Sequence, residues 1–177
     1  SMFKVVLTGY MGSGKSTIGA LLAQQLGCAL VELDFEIEAA AGISIPTLFA
    51  EKGELAFRKL EHHSFEQWMQ SPDSFVMSTG GGTPCYYNHH EWLQREHVYS
   101  VYLKGSVATL AQRLQSQKAQ RPLIQNLPEA ELQEYIAKHL FDRNYYYLQS
   151  RFIVTIDGKT PEEIMMEIRQ WLAQEGV

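Results

Sequence analysis

Residues 9–16 read Gly-Tyr-Met-Gly-Ser-Gly-Lys-Ser, and this octapeptide constrains the chain more than any other stretch. Its spacing, a glycine, four residues and then Gly-Lys-Ser, is that of a loop that cradles polyphosphates. Glycines at 9, 12 and 14 let the backbone curl closely and turn N–H groups inward on an anion. The helical pattern that follows, with Ile18, Leu21, Leu22 and Leu26 on one side, adds the positive end of its dipole. Lys15 has the reach for β- and γ-phosphates, and Ser16 offers a hydroxyl to Mg²⁺. An apolar, strand-like run from Phe3 to Leu7 precedes the loop. The context is therefore strand, glycine turn, helix, although a glycine-rich turn of that kind can also arise by chance.

The rest of the chain repeats the alternation. Strand-like runs fall at Lys4–Thr8, Ala29–Leu33, Phe75–Ser78, Val98–Leu103 and Phe152–Ile156. Helical patterns fall at Lys15–Leu26, Phe35–Ala41, Pro46–Glu51, Leu55–Met69, Tyr86–Gln94, Val107–Gln117, Glu129–Ser150 (with a break expected) and Pro161–Gln174. Such alternation predicts right-handed crossovers and a parallel sheet. With 177 residues and no repeat, low-complexity tract or linker, a single domain over residues 1–177 is expected. The segment 115–128 is the least apolar and has no period, so it reads as a mobile surface loop.

Composition narrows the class of function. No apolar run approaches the roughly 18 residues of a membrane span, so no membrane partner is expected. A net charge of −5 argues against a nucleic-acid surface. Two cysteines make no disulfide framework, and no charged-then-apolar leader precedes the first strand; a reducing cytoplasm is the expected location. An acidic protein that binds ATP must concentrate its arginines locally, so their positions are informative.

Several further groups have chemical meaning. Glu32-Leu33-Asp34 ends the second strand, and alternation predicts both carboxylates on one face, at the carboxyl ends of the strands where ligands bind. A carboxylate there can hold Mg²⁺ through water or accept a proton from an attacking hydroxyl. Gly80-Gly81-Gly82 follows the third strand and either makes a plain turn or lets backbone N–H groups meet a ligand. Arg58 and Glu61 are i, i+3 neighbours on a helix. They either pair on the surface or form a guanidinium fork held for a substrate carboxylate. Arg143 lies beside an aromatic run, and Arg121 lies in the loop, where it is either solvated or able to swing onto phosphates. The pairs His62-His63 and His89-His90 make poor metal sites, because neighbours on a helix point apart. Cys28 and Cys85 read as small buried residues.

Taken together, the motifs resemble the shikimate kinase family over essentially the whole chain, in order. Gly9 to Thr17 resembles its phosphate loop, and Asp34 with Ile37-Glu38 resembles its aspartate segment. Phe57-Arg58 with Glu61 is similar to its Phe-Arg-x-x-Glu motif, and Gly80-Gly81-Gly82 to its glycine run. Arg121-Pro122-Leu123 resembles its lid, Arg143 with Tyr147 its Arg-x-x-x-Tyr, and Ile156 to Pro161 the loop bordering adenine. The resemblance implies an α/β P-loop kinase of three layers, with five parallel strands in order 2-3-1-4-5 flanked by helices. It also implies a substrate region near 34–62, a mobile lid near 115–128 and a monomer. The implied reaction moves the ATP γ-phosphoryl group to the 3-hydroxyl of shikimate, on the route through chorismate to aromatic amino acids. The implied catalytic residues are Lys15, Asp34 and Arg121. Nucleotide contacts fall to Gly12, Ser13, Gly14, Lys15, Ser16, Thr17, Arg113, Arg121, Asp157 and Lys159. The acceptor falls to Asp34, Arg58, Gly80, Gly81, Gly82 and Arg143, and Mg²⁺ to Ser16 with Glu32 through water. The family usually carries Asp-x-Asp where this chain has Glu32. A gluconate-kinase-like enzyme and a non-catalytic nucleotide-binding module are the alternative readings.

Overall fold

In a computed structural model the chain is described at residues 2–118, 121 and 123–177. Its centre is a parallel sheet of β1 (Lys4–Thr8), β2 (Ala29–Glu32), β3 (Phe75–Ser78), β4 (Val98–Lys104) and β5 (Phe152–Thr155). The spatial order is β2-β3-β1-β4-β5. In register, Val5 lies between Val76 and Tyr99, and Leu7 between Ser78 and Val101. β1 is buried throughout, as a strand covered on both faces must be. Alternation divides its residues between two cores. Val5 and Leu7 pack with α1 (Lys15–Leu26), α4 (Val107–Ser116), α5 (Glu129–Tyr147) and α6 (Pro161–Gln174). Val6 packs with α2 (Leu33–Ala41) and α3 (Ile45–Met69) on the opposite face.

Local signals account for most boundaries. Ser44 caps α3 by accepting from the Thr47 N–H, and Thr160 with Glu163 forms a capping box at the start of α6. The two helices expected at Pro46–Glu51 and Leu55–Met69 run together as α3, with non-helical backbone at Gly53 between them.

Three expectations are corrected. The second strand stops at Glu32, and Asp34 stands in the first turn of α2. Strand alternation is therefore not what sets its direction. Leu33 and Ile37 are fully buried at helical spacing, and that burial draws the chain into α2 early. The helix expected over Tyr86–Gln94 is a 3₁₀ turn at His89–Gln94, because Tyr87 and Asn88 take left-handed backbone. The helix expected to break before Ser150 is continuous through Tyr147, whose ring is fully buried. In the segment 115–128, Ile124 is fully buried in the core, whereas Leu123 is exposed. Pro122 of the Arg121-Pro122-Leu123 motif lies outside the described residues.

Candidate active site

A cavity of about 380 Å³ opens at the carboxyl ends of β1, β2 and β3. The loop between β1 and α1 forms one wall. Gly14 caps α1 in the left-handed region, with φ 95°, a conformation that side chains rarely adopt. The turn directs the first N–H groups of α1 at the cavity. Gly12, Gly14, Lys15, Ser16 and Thr17 line this wall; Ser13 is buried beneath it.

Lys15 is buried, and its ammonium donates to the carbonyls of Gly9 at 2.7 Å and Tyr10 at 3.1 Å. Burial pulls its pKa down to about 8; Asp34 opposes the shift, and Arg143 and Arg121 add to it. The Ser16 hydroxyl donates to Glu32 Oε2 at 2.9 Å and lies 3.4 Å from Ser78 Oγ. Asp34 lines the same cavity. Burial raises its pKa, and the charges of Lys15, Arg58 and Arg121 pull against that rise.

The wall around Gly80 and Gly81 rests on a connected set of polar groups. Arg58 Nη1 donates to Glu61 Oε1 at 2.8 Å, and the Glu61 carboxylate is fully buried. Glu61 Oε2 accepts from the Thr83 hydroxyl at 2.8 Å, and that hydroxyl accepts from the Gly80 N–H at 2.9 Å. Burial holds the Glu61 pKa above its ordinary value, with the adjacent Arg58 charge opposing. The Arg58 guanidinium lies 4.0 Å above the Tyr86 ring. A Cβ placed on Gly82 would fall 2.6 Å from Arg58 Nη2, so a side chain there would displace the guanidinium. On the other side, the Tyr147 hydroxyl donates to the Gly81 carbonyl at 2.6 Å. Arg143 Nη1 lies 3.1 Å from where a Gly81 Cβ would stand. Arg113 donates to the carbonyls of Gly12 and Ser13 at 3.4 and 3.3 Å. Arg121 donates to Gln117 Oε1 at 3.0 Å, and Arg113, Gln117 and Arg121 all face the cavity.

Asp157 and Lys159 stand apart from this cavity. Asp157 accepts from the Ser106 N–H at 3.0 Å and so anchors the start of α4, and Lys159 pairs with Glu167 at 2.8 Å. They follow β5, the edge strand beyond β4, which leaves the loop at the periphery of the site. Ser78, Thr79 and Gln117 line the cavity without having been singled out in the sequence. Ser78-Thr79 ends a strand directly before the glycine run, and that position was the available signal.

The loop after β1, the sheet order and the polar cavity at the strand ends define a P-loop phosphotransferase for small molecules. A family model for shikimate kinase matches residues 11–173. The chain is 48% identical over 171 residues to the shikimate kinase of Flavobacterium psychrophilum, covering 97% of this chain and 99% of that one. The fold matches a crystal structure of shikimate kinase from Bacteroides thetaiotaomicron with TM-score 0.88 and 33% identity, over 98% of this chain and 99% of that one. It matches shikimate kinase from Acinetobacter baumannii in complex with shikimate with TM-score 0.88 and 27% identity, over 99% and 95% of the two chains. The chain belongs to the shikimate kinase family.

Proposed function

We propose that this enzyme transfers the γ-phosphoryl group of ATP to the 3-hydroxyl of shikimate, giving shikimate 3-phosphate and ADP. The observation that carries this reading is the placement of Lys15 and Asp34 in one cavity lined also by Gly80 and Gly81, with Arg143 beside Gly81 and Arg58 beside the buried Gly82, both just behind the lining. Phosphates and a carboxylate need opposite ends of such a site, and the hydroxyl between them falls near Asp34.

The acceptor oxygen attacks the γ-phosphorus in line, and the bond to the β,γ-bridging oxygen breaks. The proton of the hydroxyl passes to the Asp34 carboxylate, whose raised pKa suits it to receive one. Lys15 and Arg121 neutralise charge on the transferring group. Arg58 and Arg143 hold the carboxylate of the acid, and the Glu61–Thr83–Gly80 links keep Arg58 in place. Ser16, Glu32 and Ser78 present only oxygen donors, which suits Mg²⁺. Ser16 would hold the ion and Glu32 would meet it through water, and its charge would offset that of the β- and γ-phosphates.

Glu32→Asp shortens the side chain by one methylene and withdraws the acceptor now bonded to Ser16 Oγ at 2.9 Å. The Mg²⁺ concentration for half-maximal activity will shift between the two proteins; superimposable curves would remove Glu32 from the metal site. The reaction itself is tested by ADP release with Mg²⁺-ATP and shikimate, quinate, gluconate or AMP offered separately. Turnover with shikimate alone is expected. Turnover with gluconate or AMP overturns the acceptor assignment, and ATP binding without turnover on any of the four favours a binding module.

A further inference from the structure

The fold divides each histidine pair and joins one member of each. His62 of α3 and His89 of the 3₁₀ turn after the glycine run meet at 2.8 Å, Nδ1 to Nε2. Glu66, one turn beyond His62 on α3, completes a group in which one ligand atom from each residue lies within 4.8 Å of the others. His89 is fully buried, and its Nδ1 lies 2.9 Å from the Thr83 carbonyl. A carbonyl only accepts, so Nδ1 carries the proton and Nε2 presents a lone pair to His62. Burial pulls the His89 pKa down to about 4, which keeps the ring neutral.

The surroundings fix all three residues. Trp92 Nε1 and Gln70 Nε2 each donate to the Glu66 carboxylate at 3.0 Å, one to each oxygen. The His62 ring stacks on Tyr87 at 4.3 Å. A ligating histidine usually donates its second N–H to a carbonyl or carboxylate, and ligating carboxylates are hydrogen-bonded in turn; His89 and Glu66 have these supports.

We propose that His62, Glu66 and His89 form a binding site for one borderline transition-metal dication, with Zn²⁺ as the probe. Two imidazoles and a carboxylate leave a fourth position for water, a donor set that suits Zn²⁺ and discriminates against Mg²⁺. Tetrahedral bonds of about 2.0 Å place ligand atoms roughly 3.3 Å apart, so the two rings, now 2.8 Å apart, separate by about half an ångström and the Glu66 oxygen, within 4.8 Å of them, moves inward. The proton on His62 Nδ1 exchanges through water to Nε2, and the ring stays neutral. The metal would bridge α3 to the 3₁₀ turn at His89–Gln94, whose His89 also meets the carbonyl of Thr83, yet the site lies outside the nucleotide cavity.

The test is calorimetric titration of the full chain with Zn²⁺ at about pH 7.5, where imidazole is mostly neutral, without nucleotide and with excess Mg²⁺. Thermal unfolding is followed in parallel. One equivalent should bind and the Tm should rise. His62→Gln and Glu66→Gln should each weaken binding by about tenfold or more. His63→Gln, a change at the exposed neighbour, should leave it unchanged. An unaltered metal-free Tm confirms that the partly exposed His62→Gln and Glu66→Gln variants still fold. Absence of Zn²⁺ binding to the unsubstituted protein overturns the proposal. So does binding undiminished in the His62→Gln/Glu66→Gln double variant.

Discussion

Replacing Lys15 by methionine will lower kcat by about 10³-fold or more, the scale of losing a preorganised cation at a transferring phosphoryl group. Methionine keeps most of the aliphatic length that fills the buried site and removes only the ammonium. The fold should survive, because the buried cation is itself unfavourable. The Lys15 pKa falls from 10.5 to about 8, so between those values the unfolded chain binds more protons than the folded one. Stability therefore rises with pH across that window in the unsubstituted protein, and this increment disappears in Lys15→Met. Urea unfolding at about pH 7 and about pH 10 reads the difference, and single-turnover kinetics read the catalytic loss. Turnover within about tenfold of the original would exclude Lys15 from the transfer step.

Arg58→Ala should raise the KM for shikimate by about 10²-fold or more, while the affinity for ATP stays unchanged. A second effect follows from burial. Glu61 is fully buried, and Arg58 is its charged partner at 2.8 Å. Removing one member of such a pair costs about 3–5 kcal/mol. The Glu61 pKa is already raised by burial, and without Arg58 it rises further. The folded variant then holds a proton that the unfolded chain has lost. Its stability deficit is therefore small below the ordinary value of 4.5 and grows as pH increases above it. Arg58→Ala/Glu61→Gln separates the two effects, since removing the buried charge should restore much of the stability but none of the shikimate affinity. An unchanged shikimate KM in Arg58→Ala would refute the carboxylate-anchor role.

Much of this organisation is legible in the chain because its signals are local. The phosphate loop needs its glycines and Lys15 within eight residues, and Ser44 and Thr160 announce helix starts through their own caps. Arg58 and Glu61 are close enough in sequence for helical spacing to pair them. What escaped the sequence depends on partners far along the chain. Asp34 reads as strand because a short apolar run does not separate period 2 from the start of a helix, and the buried Leu33 and Ile37 decide it. Thr83 joins the site only because α3 brings Glu61 beneath it, across 22 positions of sequence. His62 and His89 are 27 positions apart, so nothing in either pair points to the other. Asp157 bonds the Ser106 N–H at the start of α4, a contact 51 positions apart that local spacing does not reveal.

The bare backbone at Gly82 also bears on drug resistance. Its φ of −96° suits any residue, so the obstacle to a side chain there is the Arg58 guanidinium, held by Glu61 and stacked on Tyr86. Even a methyl group would push that guanidinium aside. Gly82 is itself buried, and an inhibitor that draws its affinity from the Gly80-Gly81 backbone lining the cavity therefore rests beside a position the enzyme is poorly able to vary. A substitution at Gly82 that expelled the inhibitor would also disturb the arginine proposed to hold the natural acid, and escape would have to arise elsewhere around the cavity.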